Sequence, residues 1–170
     1  MKKILAYLIS GKIFSNTTEA VNLFSTRKFG EKSGEKVYYS RSEALYLVEK
    51  NQMKILDHRD QELSTDKINK KFERLDKDFK TKFIVFKDLR NLGYIVKTAL
   101  KFGSVFRVYE RKTSKHSKWI LFPVEETKNL SWQDFAAKNR VANNAKKNLL
   151  IAVTDEENNV SYFEVKWTKP

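Results

Sequence analysis

Three side chains in the carboxy-terminal half of the sequence could do chemistry together. Tyr109 ends the stretch Phe106-Arg107-Val108-Tyr109. His116 follows it in Lys115-His116-Ser117 after a short polar loop. Lys147 closes Arg140-Val141-Ala142-Asn143-Asn144-Ala145-Lys146-Lys147, just ahead of the apolar run Leu149-Leu150-Ile151-Ala152-Val153. A phenol, an imidazole and an ammonium can act as a base, an acid and a fixed positive charge, the groups that metal-free cleavage of RNA requires. Each also has a plainer reading. Tyr109 suits an amphipathic strand, His116 a polar loop, and Lys147 a helix C-terminus, where the macrodipole favours a cation.

The chain that must position them has 170 residues, enough for one domain or two small ones. A hydrophobic fraction of 41% fits a folded protein. With 34 Lys and Arg against 21 Asp and Glu, the formal charge is +13. That excess favours polyanionic partners, although a generally lysine-rich composition would raise it too. Cysteine is absent, so disulfides and thiolate zinc sites are excluded, and the composition suits a reducing cytoplasm. Two distant histidines make no metal site, and His58 lies in a polar stretch with no assigned role. No apolar run is long enough to span a bilayer. The opening Met1–Ser10 resembles a signal peptide only faintly, and its continuation into Gly11-Lys12-Ile13-Phe14 reads as a first strand.

The pattern predicts a mixed α/β (α+β) chain: an amino-terminal domain over 1–60, a charged linker or helix over 61–78, and a second domain over 79–170 with a central mixed sheet flanked by helices. Asn16-Thr17-Thr18-Glu19 and Ser40-Arg41-Ser42-Glu43 are capping patterns that open two helices. Residues 30–35 read as a turn or loop. Leu63, Ile68, Phe72 and Leu75 recur at roughly helical spacing. Phe79, Phe83, Phe86 and Leu89 line a further helix that Gly93 stops. Strands are expected at 94–99, 105–110, 118–124, 149–154 and 160–168. A helix from Ser131 to about Lys147 lies between the third and fourth of these.

The second domain resembles the archaeal tRNA-splicing endonucleases, the tRNA-intron lyase family. The resemblance runs through Phe86-Lys87-Asp88-Leu89-Arg90-Asn91-Leu92-Gly93-Tyr94-Ile95-Val96-Lys97, Lys101-Phe102-Gly103, Phe106-Arg107-Val108-Tyr109, His116-Ser117, Arg140-Val141-Ala142, Lys147 and the closing strands. Ser42-Glu43-Ala44-Leu45-Tyr46-Leu47 resembles the family's amino-terminal domain. The loop between Tyr109 and His116 is shorter than in many relatives and lacks their glycine and proline.

The resemblance implies a metal-independent endoribonuclease with no cofactor. It would excise introns from precursor tRNA at bulge–helix–bulge motifs and leave 2′,3′-cyclic phosphate and 5′-hydroxyl ends. By position, Tyr109 would be the base that activates the 2′-hydroxyl, His116 the acid for the departing 5′-oxygen, and Lys147 the cation on the phosphorane. Arg140 and Trp167 would grip a bulged base. The acidic triplet Asp155-Glu156-Glu157 would dock on a neighbouring unit. The partners implied are precursor tRNA and a tetramer, either of identical chains or with a structural subunit. An RNA-binding structural subunit without catalysis is the alternative, followed by a generic basic nucleic-acid-binding module. A metal-dependent DNA nuclease would need paired carboxylates, and the second domain offers no convincing Asp…Glu-x-Lys arrangement.

Overall fold

The computed structural model describes residues 2–98, 106–110 and 114–168. The chain divides into two compact units, Met1–Phe79 and Lys80–Pro170.

The first unit is a five-stranded sheet with helices packed on one face. Its strands are β1 (Ile4–Ile9), β2 (Lys12–Ser15), β3 (Glu31–Ser33), β4 (Lys36–Tyr39) and β5 (Met53–Leu56), in the order β3-β4-β2-β1-β5. Only β1 and β5 pair in parallel. The helices are α1 (Thr18–Arg27), α2 (Arg41–Glu49) and α3 (Thr65–Leu75). Residues 30–35, expected as a turn, form most of a hairpin instead. Gly34 takes a left-handed φ of 59°, which lets Ser33 pair directly with Lys36.

Inward residues of the strands, among them Ile4, Ala6, Leu8, Ile13, Val37, Met53 and Ile55, are buried with Leu23, Leu45 and Leu47 of the helices. In α3, Ile68 and Phe72 are fully buried, whereas Leu75 is half exposed and Leu63 precedes the helix. Ser40 and Glu43 make the expected reciprocal capping box, whereas α1 is capped one residue later than the Asn16–Glu19 pattern implies, by Thr17 accepting from the Ala20 N–H.

Glu43 does more than cap. One carboxylate oxygen accepts from the Ser40 N–H and hydroxyl, both at 3.0 Å, and the other from the Gly30 N–H at 2.9 Å. The side chain is buried, so losing it would strand backbone donors away from water. Gly30 has φ +73°, and a Cβ there would lie 2.5 Å from Val37 Cγ1 and 2.8 Å from the Tyr38 carbonyl.

The second unit has the strands β6 (Ile95–Thr98), β7 (Phe106–Tyr109), β8 (Trp119–Glu125), β9 (Asn148–Thr154) and β10 (Val160–Val165), in the order β10-β9-β8-β7-β6. Helix α4 (Phe79–Asn91) leads into this unit, and α5 (Trp132–Asn144) connects β8 to β9. All pairs are antiparallel except β8 with β9, so the sheet is mixed. Helices cover both faces. Ala142 of α5 packs with Ile120, Leu149 and Ile151 on one face. On the other, Phe86 of α4 meets Phe106, and the Tyr162 hydroxyl donates to Asp88 at 2.7 Å. Burial and that hydrogen bond raise the Tyr162 pKa, keeping the phenol protonated.

Gly93 stops α4 as expected. It has φ 93°, and the N–H groups of Gly93 and Tyr94 donate to the Arg90 and Leu89 carbonyls. β10 is shorter than the expected 160–168, ending at Val165.

Gly30→Ala should destabilise the protein by about 2 kcal/mol or more, because a left-handed backbone, the buried Val37 side chain and the Tyr38 carbonyl all oppose the added methyl. Urea unfolding monitored by circular dichroism would measure this. Glu43→Ala should cost about as much through its stranded donors.

Candidate active site

Parallel pairing of β8 with β9 requires the chain to cross back over the sheet, and α5 is that crossover. It opens at Ser131, whose hydroxyl accepts from the Asp134 N–H at 3.0 Å. It closes at Lys146, which adopts a left-handed φ of 55° without being glycine. The Lys146 N–H donates to the Asn143 carbonyl at 2.8 Å and the Lys147 N–H to the Ala142 carbonyl at 3.0 Å. This is the same two-bond stop that Gly93 makes after α4. The turn delivers Lys147 to the threshold of β9.

The register fixes what Lys147 meets there. Val108 of β7 pairs with Trp119 of β8, and Trp119 pairs with Asn148 of β9. Backbone bonds tie the three strands at this level: the Lys118 N–H donates to the Val108 carbonyl at 2.9 Å, and the Asn148 N–H to the Lys118 carbonyl at 3.3 Å. The end of β7, bearing Tyr109, therefore lies level with the starts of β8 and β9. Tyr109 and Lys147 are separated by two interstrand spacings, about 10 Å between backbones.

The pleat places both on the α5 side. Arg107 pairs with Ile120, which packs under α5; Tyr109 follows Arg107 by two residues, and Lys147 precedes the packed Leu149 by two. Both side chains are half-buried. His116 is exposed, two residues before Lys118 on the segment entering β8, next to the buried Ser117. The structure thus gathers the backbones carrying Tyr109, His116 and Lys147 at one end of the sheet. Residues 111–113 of the intervening loop, and the Lys101-Phe102-Gly103 motif, lie outside the described residues.

The remaining expected site residues are more scattered. Arg140 is exposed on α5, two turns before Lys147. Trp167 lies beyond the end of β10 and is 60% exposed, so it is not the strand residue expected. Asp155, Glu156 and Glu157 follow β9 at its other end. The seven residues of β9 place this acidic turn about 20 Å from Lys147. Asp155 is committed to the turn itself, accepting from the Asn159 N–H and side-chain amide, both at 2.8 Å. Those bonds hold its carboxyl below the usual range. Glu156 and Glu157 are exposed.

On the face opposite Tyr109 and Lys147 the same strand ends are clamped by Glu164, which sequence reasoning missed. Its Oε1 accepts from the Asn148 side-chain amide at 2.6 Å and from the Trp119 indole N–H at 3.0 Å. One carboxylate on β10 thereby ties β9 and β8 beside Lys147. Tyr94 packs edge-on against the Trp119 ring, and Lys118 pairs with Glu110 at 2.8 Å. No sequence signal could reveal these pairs, because they depend on a cross-strand register.

A mixed sheet with an aromatic side chain at the end of β7 and a basic one at the start of β9, either side of the strand that a histidine segment enters, holds the groups that acid–base cleavage could use. The sequence matches the tRNA intron endonuclease catalytic C-terminal domain over residues 79–162 and the N-terminal domain of the same family over residues 4–68. The chain belongs to the tRNA intron endonuclease family. It is 45% identical to the tRNA-splicing endonuclease of Pyrococcus abyssi over 171 aligned positions, covering 99% of each chain. The Pyrococcus horikoshii enzyme is 44% identical over the same span, and that of Methanothermobacter thermautotrophicus 33% identical over 91% of each chain.

The Asn148 amide, first, and the Trp119 indole hold the Glu164 carboxyl below its ordinary value. A depressed folded-state pKa gives stability that is present above the unfolded value, near 4.5, and is lost as pH falls through the folded one. Glu164→Gln should therefore be less stable than the native protein at neutral pH, with the gap closing under acid. Thermal melts across pH 2–7 would measure it, and an equal gap at every pH would refute the carboxylate clamp.

Proposed function

We propose that this chain is the catalytic subunit of a metal-independent tRNA-intron lyase, with catalysis carried by residues 79–170. It cuts precursor tRNA at bulge–helix–bulge motifs and leaves 2′,3′-cyclic phosphate and 5′-hydroxyl ends. The observation that carries this reading is the shared register of three strand ends, which assembles Tyr109, Lys147 and the His116 segment from distant parts of the sequence.

In this reaction the 2′-hydroxyl oxygen attacks the adjacent phosphorus, and Tyr109 takes its proton. The bond from phosphorus to the 5′-oxygen breaks, and His116 protonates that oxygen. Lys147 stabilises the extra negative charge on the phosphorane between these events. All atoms come from the RNA, and the two proton transfers balance. The attacking nucleophile belongs to the substrate, so no metal-activated water is required.

Arg140, exposed on the helix that leads to Lys147, is suited to stack on a splayed base at the cut, with Trp167 as the second gripping surface. Excising an intron takes two cuts, so two such sites are held in a four-unit assembly, either of identical chains or with a structural partner subunit. Glu156 and Glu157, left exposed by the turn that uses Asp155, are the docking carboxylates. β10 is an edge strand with Phe163 56% exposed, a surface that pairing with another unit would cover. No helix among the described residues is long and apolar enough to cross a membrane. The absence of cysteine suits a reducing compartment, and we place the enzyme in the cytoplasm.

The purified chain should cut a bulge–helix–bulge RNA twice in EDTA. His116→Ala and Tyr109→Phe should each lower the single-turnover rate by about 10²–10⁴, with cyclic-phosphate ends on any residual product. If cleavage needs a partner chain, adding it restores activity; inactivity with the partner present leaves only RNA binding. Reversing the charge of Glu156 and Glu157 to lysine should dissociate the assembly in sedimentation velocity, and an intact assembly would reject docking through this turn.

A further inference from the structure

The amino-terminal sheet turns a row of aromatic rings away from its helices. β1 points Ile4, Ala6 and Leu8 into the core and Leu5, Tyr7 and Ile9 outward. The same alternation turns Phe14 of β2 and Tyr38 of β4 outward. Register sets Tyr7 opposite Phe14 and Phe14 opposite Tyr38. Their ring centroids are 6.2 and 5.9 Å apart, with planes tilted by 30° and 45°.

Cross-strand aromatic pairs stabilise sheets by themselves, but they do not explain the whole face. A sheet face turned away from its own core is ordinarily polar. Here every outward position of β1 is apolar, and Leu5 and Ile9 are 37% and 38% exposed.

Lysines complete the surface. Lys12 pairs with Ile9 and Lys54 with Leu5, and Lys36 holds its Nζ 4.5 Å from the Phe14 ring centre. Two acids lie nearby: Glu31 on the edge strand β3, opposite Tyr38 at the rim of the aromatic row, and Glu62, which pairs with Lys54 at 2.7 Å. Lys36 therefore stands over the Phe14 ring, and Lys12 lies two residues from Phe14 on the same outward face of β2. A protein partner laid on this face would have to bury both cations. An RNA strand would instead put bases on the rings and phosphates on the lysines.

We propose that this face is a second RNA-contact surface. Unpaired bases of the precursor tRNA, away from the cut sites, stack on Tyr7, Phe14 and Tyr38 while Lys12 and Lys36 hold the flanking phosphates. The inference rests on the reading of precursor tRNA as substrate and extends it to the amino-terminal unit, to which the catalytic residues do not belong.

The test is binding by the full chain to a precursor tRNA whose cleavage-site 2′-hydroxyls are replaced by hydrogen, so that it cannot be cut. Fluorescence anisotropy should show Phe14→Thr/Tyr38→Thr binding roughly tenfold or more weakly than native, at about tenfold per lost stack. Phe14→Tyr/Tyr38→Phe, which keeps both rings, should bind like native. Lys12→Gln/Lys36→Gln should flatten the salt dependence by about one to two ions. A folded threonine variant within twofold of native affinity overturns the proposal. So does a change of oligomeric state with affinity unchanged, which would make the face a contact between copies. If the threonine variant does not fold, 4-thiouridine crosslinking of native protein decides: crosslinks to peptides holding Tyr7, Phe14 or Tyr38 support the surface, and crosslinks confined to residues 80–170 refute it. Cleavage of ordinary precursor by the native chain tests the catalytic reading separately, so either can fail alone.

Discussion

The parallel pairing of β8 with β9 is the constraint on which the candidate site depends. Two parallel neighbours begin at the same end of a sheet, so the chain leaving β8 must travel back before β9 can start. Helix α5 makes that return, and its last turn must fall where β8 was entered. Lys147 thus arrives beside the His116 segment although 30 residues of chain lie between them. The antiparallel turn from β7 into β8 brings Tyr109 to the same level. Three strand ends meet through topology, and the side chains need only occupy the right positions on each.

Backbone hydrogen bonds alone would hardly distinguish this arrangement from one slipped by a residue, because most of them would re-form. The slip is opposed by the apolar alternation of Ile120, Leu149 and Ile151 under α5. It is opposed as well by Glu164, whose carboxylate fits Asn148 and Trp119 in one register only. The clamp lies on one face and the candidate catalytic groups on the other. The polar contacts that set their positions are therefore separate from the candidate catalytic groups themselves.

Local chemistry was legible in the sequence. Ser40, Ser131 and Gly93 act within a few residues of themselves, so capping boxes and a glycine stop can be read without knowing the fold. The Tyr109, His116 and Lys147 positions were legible through a resemblance rather than through their own chemistry. Features set by partners far along the chain were not legible. Lys146 takes a glycine's conformation without being glycine. The hairpin at β3 hid behind glycines that also suit an open loop. Trp167 continues an alternating pattern after the strand has stopped, and Glu164 finds Trp119 45 residues away. Periodicity describes a face, and only the assembled sheet shows where that face ends and what touches it.

The two connections that enter the site differ in how freely their lengths can change. The link from Tyr109 to His116 joins antiparallel neighbours, a topology that sets no fixed length for the connection. The link from α5 to β9 is closed by two backbone bonds around Lys146, and one added residue there would turn Lys147 to the wrong face. Insertions and deletions among related chains should therefore collect in the first connection and be absent from the second. Variation in loop length would then reshape what approaches the histidine and leave the lysine where the crossover puts it.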